Sequence, residues 1–247
     1  TIEGNAVVFA AGKEPIGDGP LAATAGALPK KNSGVILEGA VDTNMKGSLY
    51  GDVTLSHDTE IPTGCTLTIP EGKTLTIGAG VTLTIRGTLH NNGTIINNGT
   101  ILCLGTFTGN EPTGGTFHRL SVTPPSHTFA EAEEGAAVPE ALTVTVKNTG
   151  NQPTGVLTIS ISTTDFVVSP TSLNIVSGNE ATFTIQPAAG LSVGPHTATV
   201  VVSMGDVAFA KVQVDFTVTT KTPVGEAPQI IVQPGNQNVQ EGQTAVF

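Results

Sequence analysis

From Thr66 to Thr108 apolar and polar residues alternate in short bursts. Leu67, Ile69, Leu75, Ile77, Leu83, Ile85, Leu89, Ile95 and Ile101 share one parity, while Thr68, Thr76, Thr84 and His90 share the other. A period of two marks β-strands with one apolar and one polar side. The bursts read TLTIPEGK, TLTIGAGV, TLTIRG, TLHNNG, TIINNG, TILCLG and TFTGN, seven units in a row. Each is a strand of about four or five residues, too short at ~3.3 Å per residue to bury its own apolar side, so stacking must close it. A chain that turns after each unit and returns every ~18 to 22 residues lays like on like with a rise of ~4.8 Å, which predicts a parallel β-solenoid. Gly87, Gly93, Gly99 and Gly105 are expected at corners, where positive φ or close backbone approach is needed.

The pairs Asn91–Asn92 and Asn97–Asn98 precede those corners, where their amides are expected to bridge backbone groups or to stack as a ladder. The competing reading is glycosylation, because Asn92-Gly-Thr and Asn98-Gly-Thr match the acceptor pattern. Cys65 and Cys103 share the inward parity and are expected as free, buried thiols. Two coils apart, at ~9 to 10 Å, they exceed the ~7 Å reach of a disulfide. Upstream, Gly34–Leu37 and Asp52–Leu55 read as strands of an irregular first turn or cap. Residues 11–33 mix Gly, Pro and Ala without a period and suit a long loop or a short helix equally.

At LSVTPPSHTF the phrase stops and longer alternating strands begin. Inward parity runs through Leu142, Val144 and Val146, Leu157, Ile159 and Ile161, and Leu173 and Ile175. It resumes at Ala181, Phe183 and Ile185, Ala198, Val200 and Val202, and Val212 through Val218. Turn signals at NTGNQPTG, VSGNE, GLSVGP and SMGD divide this stretch into about seven strands, the pattern of an immunoglobulin-like β-sandwich. With no Trp or Cys to pin its sheets, aliphatic packing and Phe166, Phe183 and Phe216 must hold it. The expected organisation is all-β: a short parallel β-solenoid with an irregular N-terminal cap over 1–118, an immunoglobulin-like β-sandwich over 119–221, and over 222–247 a linker with the opening strands of a further sandwich.

Composition narrows the function. Thirty Gly and sixteen Pro among 247 residues suit many short strands and turns. A formal charge of −10 repels nucleic acid and acidic membrane surfaces. No apolar run approaches the ~18 residues of a membrane span, so no membrane insertion is expected. The chain opens on Thr1 without a basic-then-apolar leader, as expected of a mature segment or of a piece cut out for expression.

Solenoids can host polysaccharide lyases and hydrolases, which need clustered carboxylates. Between Thr66 and Thr108 the only charges are Glu71, Lys73 and Arg86. The best candidate constellation is Asp52, His57, Asp58 and Glu60, with Asp52 and Asp58 one repeat length apart and able to stack; solvated edge residues are the favoured reading over a catalytic pair or a cation site. Glu131, Glu133 and Glu134 read as a solvated loop rather than a calcium site. His90, His118, His127 and His196 lie on different elements without metal spacing, and neither a Ser-His-Asp arrangement nor a phosphate loop is present. No catalytic, metal-binding or cofactor-binding residue is assigned.

The stretch YGDVTLSHDTEIPTGCTLTIPEGKTLTIGAGVTLTIRGTLHNNGTIINNGTI resembles a segment of long, repetitive bacterial cell-surface proteins. LTVTVKNTGNQPTGVLTISIS through LSVGPHTATVVVS is similar to the immunoglobulin-like repeat that follows it there, and PQIIVQPGNQNVQEGQTAVF to the start of an I-set domain. The resemblance implies an extracellular setting at the bacterial cell surface or wall, where such modules act as stalks or present adhesive and carbohydrate-binding domains. It supplies no catalytic residues. The expected function is a non-enzymatic structural or adhesive module, with adjacent domains of the parent polypeptide and a glycan or a host or extracellular protein as partners. The alternative is a carbohydrate-binding module, disfavoured by the lack of Trp and the single Tyr. A polysaccharide lyase or hydrolase ranks last.

Overall fold

The computed structural model describes residues 46–49, 51–222 and 238–244, together with the strand backbone at Ala22–Ala23, Gly26–Ala27 and Val35–Glu38. The rest of the loop or helix expected over 11–33, and most of the further sandwich expected over 222–247, lie outside the described residues. The described chain is all-β, a parallel β-solenoid of about four turns followed by an immunoglobulin-like β-sandwich.

Two short strands, β1 (Ala22–Ala23) and β2 (Gly26–Ala27), pair antiparallel. Strand β3 (Val35–Glu38) runs antiparallel to β4 (Lys46–Leu49) and covers the first edge of the solenoid as the cap the sequence predicts. The coils follow in threes: β4, β5 (Val53–Leu55) and β6 (Thr59–Ile61); then β7 (Thr66–Ile69), β8 (Thr74–Ile77) and β9 (Thr82–Ile85); then β10 (Thr88–Asn91), β11 (Thr94–Asn97) and β12 (Thr100–Cys103). A last coil begins with β13 (Thr106–Gly109) and closes with the first half of β14 (Thr116–Thr123). Each six- or eight-residue unit is therefore one side of a three-sided coil. Like sides stack in parallel as β4-β7-β10-β13, β5-β8-β11 and β6-β9-β12-β14.

Register lays like on like. Leu67, Leu89 and Phe107 form one interior column, and Ile61, Ile85 and Cys103 another. The residues of inward parity are buried, Ile69, Ile77, Ile85, Leu89 and Ile101 completely. Each such side chain contributes roughly 1.5–3 kcal/mol through removal of its surface from water. Cys65 and Cys103 are free and buried, as expected.

Corners come in two widths, and this separates two uses of glycine. The four-residue corners Pro70–Lys73 and Gly78–Val81 close with Lys73 N–H to Pro70 O and Val81 N–H to Gly78 O, both 3.1 Å. They take positive φ at Gly72 (71°) and Gly80 (73°). The two-residue corners of the next coil sit on top of them, where Gly93 is pressed against upturned carbonyls: a Cβ there would lie 2.3 Å from Lys73 O and 2.4 Å from Pro70 O. Close approach, and not backbone handedness, is what requires glycine at 87, 93, 99 and 105.

The sandwich has one sheet of β14, β17 (Leu142–Asn148), β19 (Phe166–Ser169) and β21 (Glu180–Pro187). Its other sheet holds β15 (Ser126–Thr128), β16 (Ala132–Glu133), β18 (Val156–Ile161), β20 (Ser172–Asn174), β22 (Gly194–Met204) and β23 (Val207–Thr219). The residues of inward parity form its core, with Phe166, Phe183 and Phe216 each buried.

Strand β14 belongs to both halves. Thr116–Arg119 pair in parallel with Thr100–Cys103 of the solenoid, and Leu120–Thr123 pair antiparallel with Thr145–Asn148 of the sandwich. The boundary placed between residues 118 and 119 thus falls inside one strand. A single seven-stranded sheet, β19-β21-β17-β14-β12-β9-β6, runs through both halves.

Candidate functional site

The two aspartates of the candidate constellation serve as caps. In the upper coils the N–H that opens each strand donates to a backbone carbonyl one coil below: Thr94 to Lys73 O, Thr100 to Val81 O and Thr116 to Gly99 O. For the second coil a side chain takes that role, with Thr74 N–H donating to Asp52 Oδ1 at 2.7 Å and Thr82 N–H to Asp58 Oδ1 at 2.8 Å. Asp52 precedes β5 and Asp58 precedes β6, so they lie at successive corners of one coil. The expectation that they stack is corrected here: a six-residue step moves the chain to the next side, and only a full coil brings it back.

Glu60 meets Arg86 at 3.3 Å with both side chains half exposed, a surface pair of under about 1 kcal/mol. His57 Nδ1 lies 3.0 Å from Ser56 Oγ. Among the described residues no group of three His, Cys, Asp or Glu side chains is placed to hold a metal. If the aspartates are caps, Asp58→Asn, which keeps the accepting oxygen, is expected to leave stability nearly unchanged, whereas Asp58→Ala costs about 1 kcal/mol. Urea denaturation of both variants checks this; equal losses would remove the capping account.

The remaining candidates are dispersed. His90 Nδ1 stacks on Thr108 Oγ1 along an outer polar column. His118 lies on the outer side of the last coil, where burial pulls its imidazole below the usual value. His127 packs edge-on against Phe129, ring centroids 4.6 Å apart. Glu133 accepts a hydrogen bond from Thr222 Oγ1, while Glu131 and Glu134 are exposed.

Of each asparagine pair the first is buried and the second faces solvent. Asn91 and Asn97 stack on Ile69 and Ile77 and reach up to the last coil, Asn91 Nδ2 donating to Asn110 O at 2.6 Å and Asn97 Nδ2 to Thr116 O at 2.9 Å. Asn97 Oδ1 also accepts Gly99 N–H at 3.1 Å. These are the backbone bridges the sequence predicts. Asn91 Oδ1 is buried without a partner, for which nothing in the structure gives a reason.

A polar cluster joins the two halves, and composition and spacing do not point to it. At the end of β17 the turn Asn148–Gln152 folds over the solenoid half of β14. Thr149 N–H donates to Arg119 O (2.9 Å), Asn151 N–H to Phe117 O (3.0 Å), and Phe117 N–H to Asn151 Oδ1 (2.8 Å). Asn151 Nδ2 reaches Gly115 O at 3.1 Å and Gly114 O at 3.3 Å. The turn thus continues the antiparallel ladder past β17 and satisfies the last edge of that solenoid side.

Arg119 stops the interior column Ile61–Ile85–Cys103. Its guanidinium lies 5.6 Å from the Phe107 ring centroid and 5.1 Å from that of Phe117, and it donates to Thr149 Oγ1 (2.9 Å) and Glu111 Oε1 (3.0 Å). A cation over two rings is worth roughly 0.5–1 kcal/mol per contact at such a partly exposed site. Beneath it, burial pushes the Cys103 thiol up to about 11, with the Arg119 charge pulling the other way, so it remains a thiol near neutrality. The signal for this region was the run of Asn and Gly in NTGNQ, which reads as a turn whatever the turn grips.

No family model matches the chain, and no curated protein matches it in sequence. Among solved structures, 42% of the chain is similar to PapD-like domain 7 of human CEP192, with 14% identity, a TM-score of 0.35 and 87% of that chain covered. The periplasmic chaperone SfaE is similar over 40% of this chain and 57% of its own, with 14% identity and a TM-score of 0.32. WR4, an MSP family member of C. elegans, matches over 40% of this chain and 97% of its own, with 10% identity and a TM-score of 0.30. No residue role is carried from any of them.

Proposed function

We propose that this chain is a non-enzymatic structural module of a bacterial cell-surface protein, a stalk or spacer that carries adhesive parts of the same polypeptide outward from the cell wall. The observation that supports this reading best is the shared strand β14. A sheet grows sideways by ~4.8 Å per strand, so seven strands in one sheet carry both halves along a common direction with no linker between them. Domains joined by an exposed linker move relative to one another by default. Here bending would break main-chain hydrogen bonds on both sides of β14, which suits a part whose task is to hold distance. Repeating coils suit the same task, since length is added without redesigning the core. The engagement of Asp52 and Asp58 as caps favours the non-enzymatic reading over a glycan-cleaving one.

The stiffness on which this rests is open to a direct measurement. ¹⁵N relaxation of the full chain is expected to fit one diffusion tensor for amides of the solenoid and of the sandwich. Two independent tensors would overturn the spacer reading. A glycan array binds the chain if the partner is a sugar; saturable binding to one glycan class, weakened by substitutions on the solenoid sides, would replace the spacer with a carbohydrate-binding module.

A further inference from the structure

We infer that His196 is a pH-operated staple: as an imidazolium it pins the turn of residues 188–193 to the body of the sandwich, and as a neutral ring it releases that turn. The inference is independent of the spacer reading. His196 lies near the start of β22 with its side chain only 10% exposed. Its Nδ1 is 2.8 Å from Asp165 Oδ2, and its Nε2 is 2.9 Å from the backbone carbonyl oxygen of Ser192. A carbonyl oxygen only accepts, as does an ionised carboxylate. A neutral imidazole has one N–H and one lone pair, so one of the two contacts would set lone pair against lone pair. Only the doubly protonated ring donates to both.

The turn depends on these contacts. Its first residue is held where Ala188 N–H donates to Asp165 O at 2.8 Å, and near its other end Ser192 O is held by His196. Asp165 is itself fixed by its N–H donating to Thr163 Oγ1 at 2.8 Å. One aspartate thus anchors the start of the turn through its backbone and the staple through its carboxylate. The chain between is Ala-Gly-Leu, with Gly190 at φ 75°. Ala188, Gly190 and Leu191 line a groove together with Ala136, Phe216 and Val218. The groove lies by Glu133, the side chain that Thr222 grips where β23 has ended. Releasing the turn frees three of the residues that line that groove.

Among the described residues, Asp165 is the one ionised group in contact with the ring. The turn carries no ionisable side chain. Across the ladder Phe216 lies opposite His196, and Asp215 lies opposite Thr197. On β15, His127 is opposite Val214 and packs on Phe129. The hydrogen bond to the Ser192 carbonyl, and then that to Asp165, hold the imidazole above its usual value. The sign follows: the staple is fully made below the ordinary imidazole value of about 6.5 and is lost as pH rises through the higher value of the folded protein.

The test uses the full chain, with ¹⁵N shifts of the His196 ring and hydrogen exchange of the amides from 188 to 193. Measurements at about pH 5.5 and about pH 8.5 bracket the ordinary imidazole range. The ring is expected to be doubly protonated at the lower pH. Exchange in the turn, corrected for its intrinsic rate, is expected to speed up at the higher pH, and that pH dependence is expected to be lost in His196→Gln. Asp165→Asn, which keeps the side chain's size, is expected to move the titration midpoint downward while melting stays cooperative. A neutral ring at the lower pH, a turn whose corrected exchange is flat, or a midpoint that ignores Asp165→Asn would each overturn the staple.

Discussion

Gly150→Ala is expected to lower stability by about 3 kcal/mol and to loosen the sandwich from the solenoid, an effect far out of proportion to one added methyl group. A Cβ at this position would sit 2.2 Å from Phe117 O, 3.0 Å from Arg119 N and 3.2 Å from the His118 Cα. All three are main-chain atoms of β14, so no side chain can swing aside. Gly150 is not among the glycines of positive φ, and backbone handedness is therefore no part of the cost. The lesion is purely one of distance: the turn must back away from β14. That movement strains the hydrogen bonds from Thr149 to Arg119 O and from Asn151 to Phe117. Hydrogen exchange resolves where the damage falls. Protection is expected to drop over 116–123 and 148–152 while the interior amides of β8 and β9 keep theirs. A variant within about 0.5 kcal/mol of the parent, with β14 still protected, would show that the close approach does not hold the halves together.

A junction built this way differs from the usual contact between domains. Such interfaces are made of side chains and can slide or part. Here the shared element is a strand whose two halves use different partners, parallel up to Arg119 and antiparallel from Leu120. The change of partner direction within one strand needs no bend of β14, because both neighbours lie in the same sheet. What it needs is an edge to follow β17 beyond its end, and the Asn148–Gln152 turn supplies that edge.

Most of the architecture was legible because a two-residue period and a six-residue phrase both have direct geometric meanings. The inward parity of Leu67 to Ile101 became the solenoid core, and that of Val144 to Val218 the sandwich core. The inward asparagines were legible too, since Asn91 and Asn97 fall at the positions where Ile69 and Ile77 stand one coil earlier. The return every ~18 to 22 residues was legible as well, for Thr88 stands beside Thr66 and Thr106, and Thr94 beside Thr74. What failed was one pairing inside that repeat: Asp52 and Asp58 are six residues apart, a step that leads only to the next side of the coil. Glycines at 93 and 99 were recognised as corners, but their reason depends on the wider corner beneath each, which no local window contains. The junction was the least visible part. Arg119 drew no reading at all: Phe117 stands two residues before it on β14, but the Phe107 ring reaches its guanidinium from another side of the coil.

Asn148 offers the sharpest test of how the gripping turn keeps its shape. The residue is 1% exposed, and its side chain makes three hydrogen bonds. Nδ2 donates to Gln152 O at 2.8 Å and to Ile175 O at 3.0 Å, and Oδ1 accepts Gly150 N–H at 3.0 Å. Asn148→Ala is expected to cost about 2 kcal/mol, since it leaves the buried Gly150 N–H and the Gln152 carbonyl without their partner and takes from Ile175 O one of its two donors, the other being Thr154 N–H at 2.9 Å. Asn148→Asp is nearly the same size and is expected to do at least as much harm near neutral pH, because it sets a carboxylate oxygen against the two carbonyl oxygens of Gln152 and Ile175. The buried carboxyl would hold its proton to higher pH than in the unfolded chain, where carboxyls of this type titrate near 3.9. A raised value in the folded state makes the defect mildest in acid and progressively worse as pH climbs through it. Urea denaturation of the parent and both variants at several pH values separates the cases. The parent-to-Ala gap is expected to stay level while the parent-to-Asp gap widens with pH. If Asn148→Asp instead matches the parent at neutral pH, the amide is not what ties the turn to Gln152 and Ile175, and the grip on β14 must come from the backbone of the turn alone.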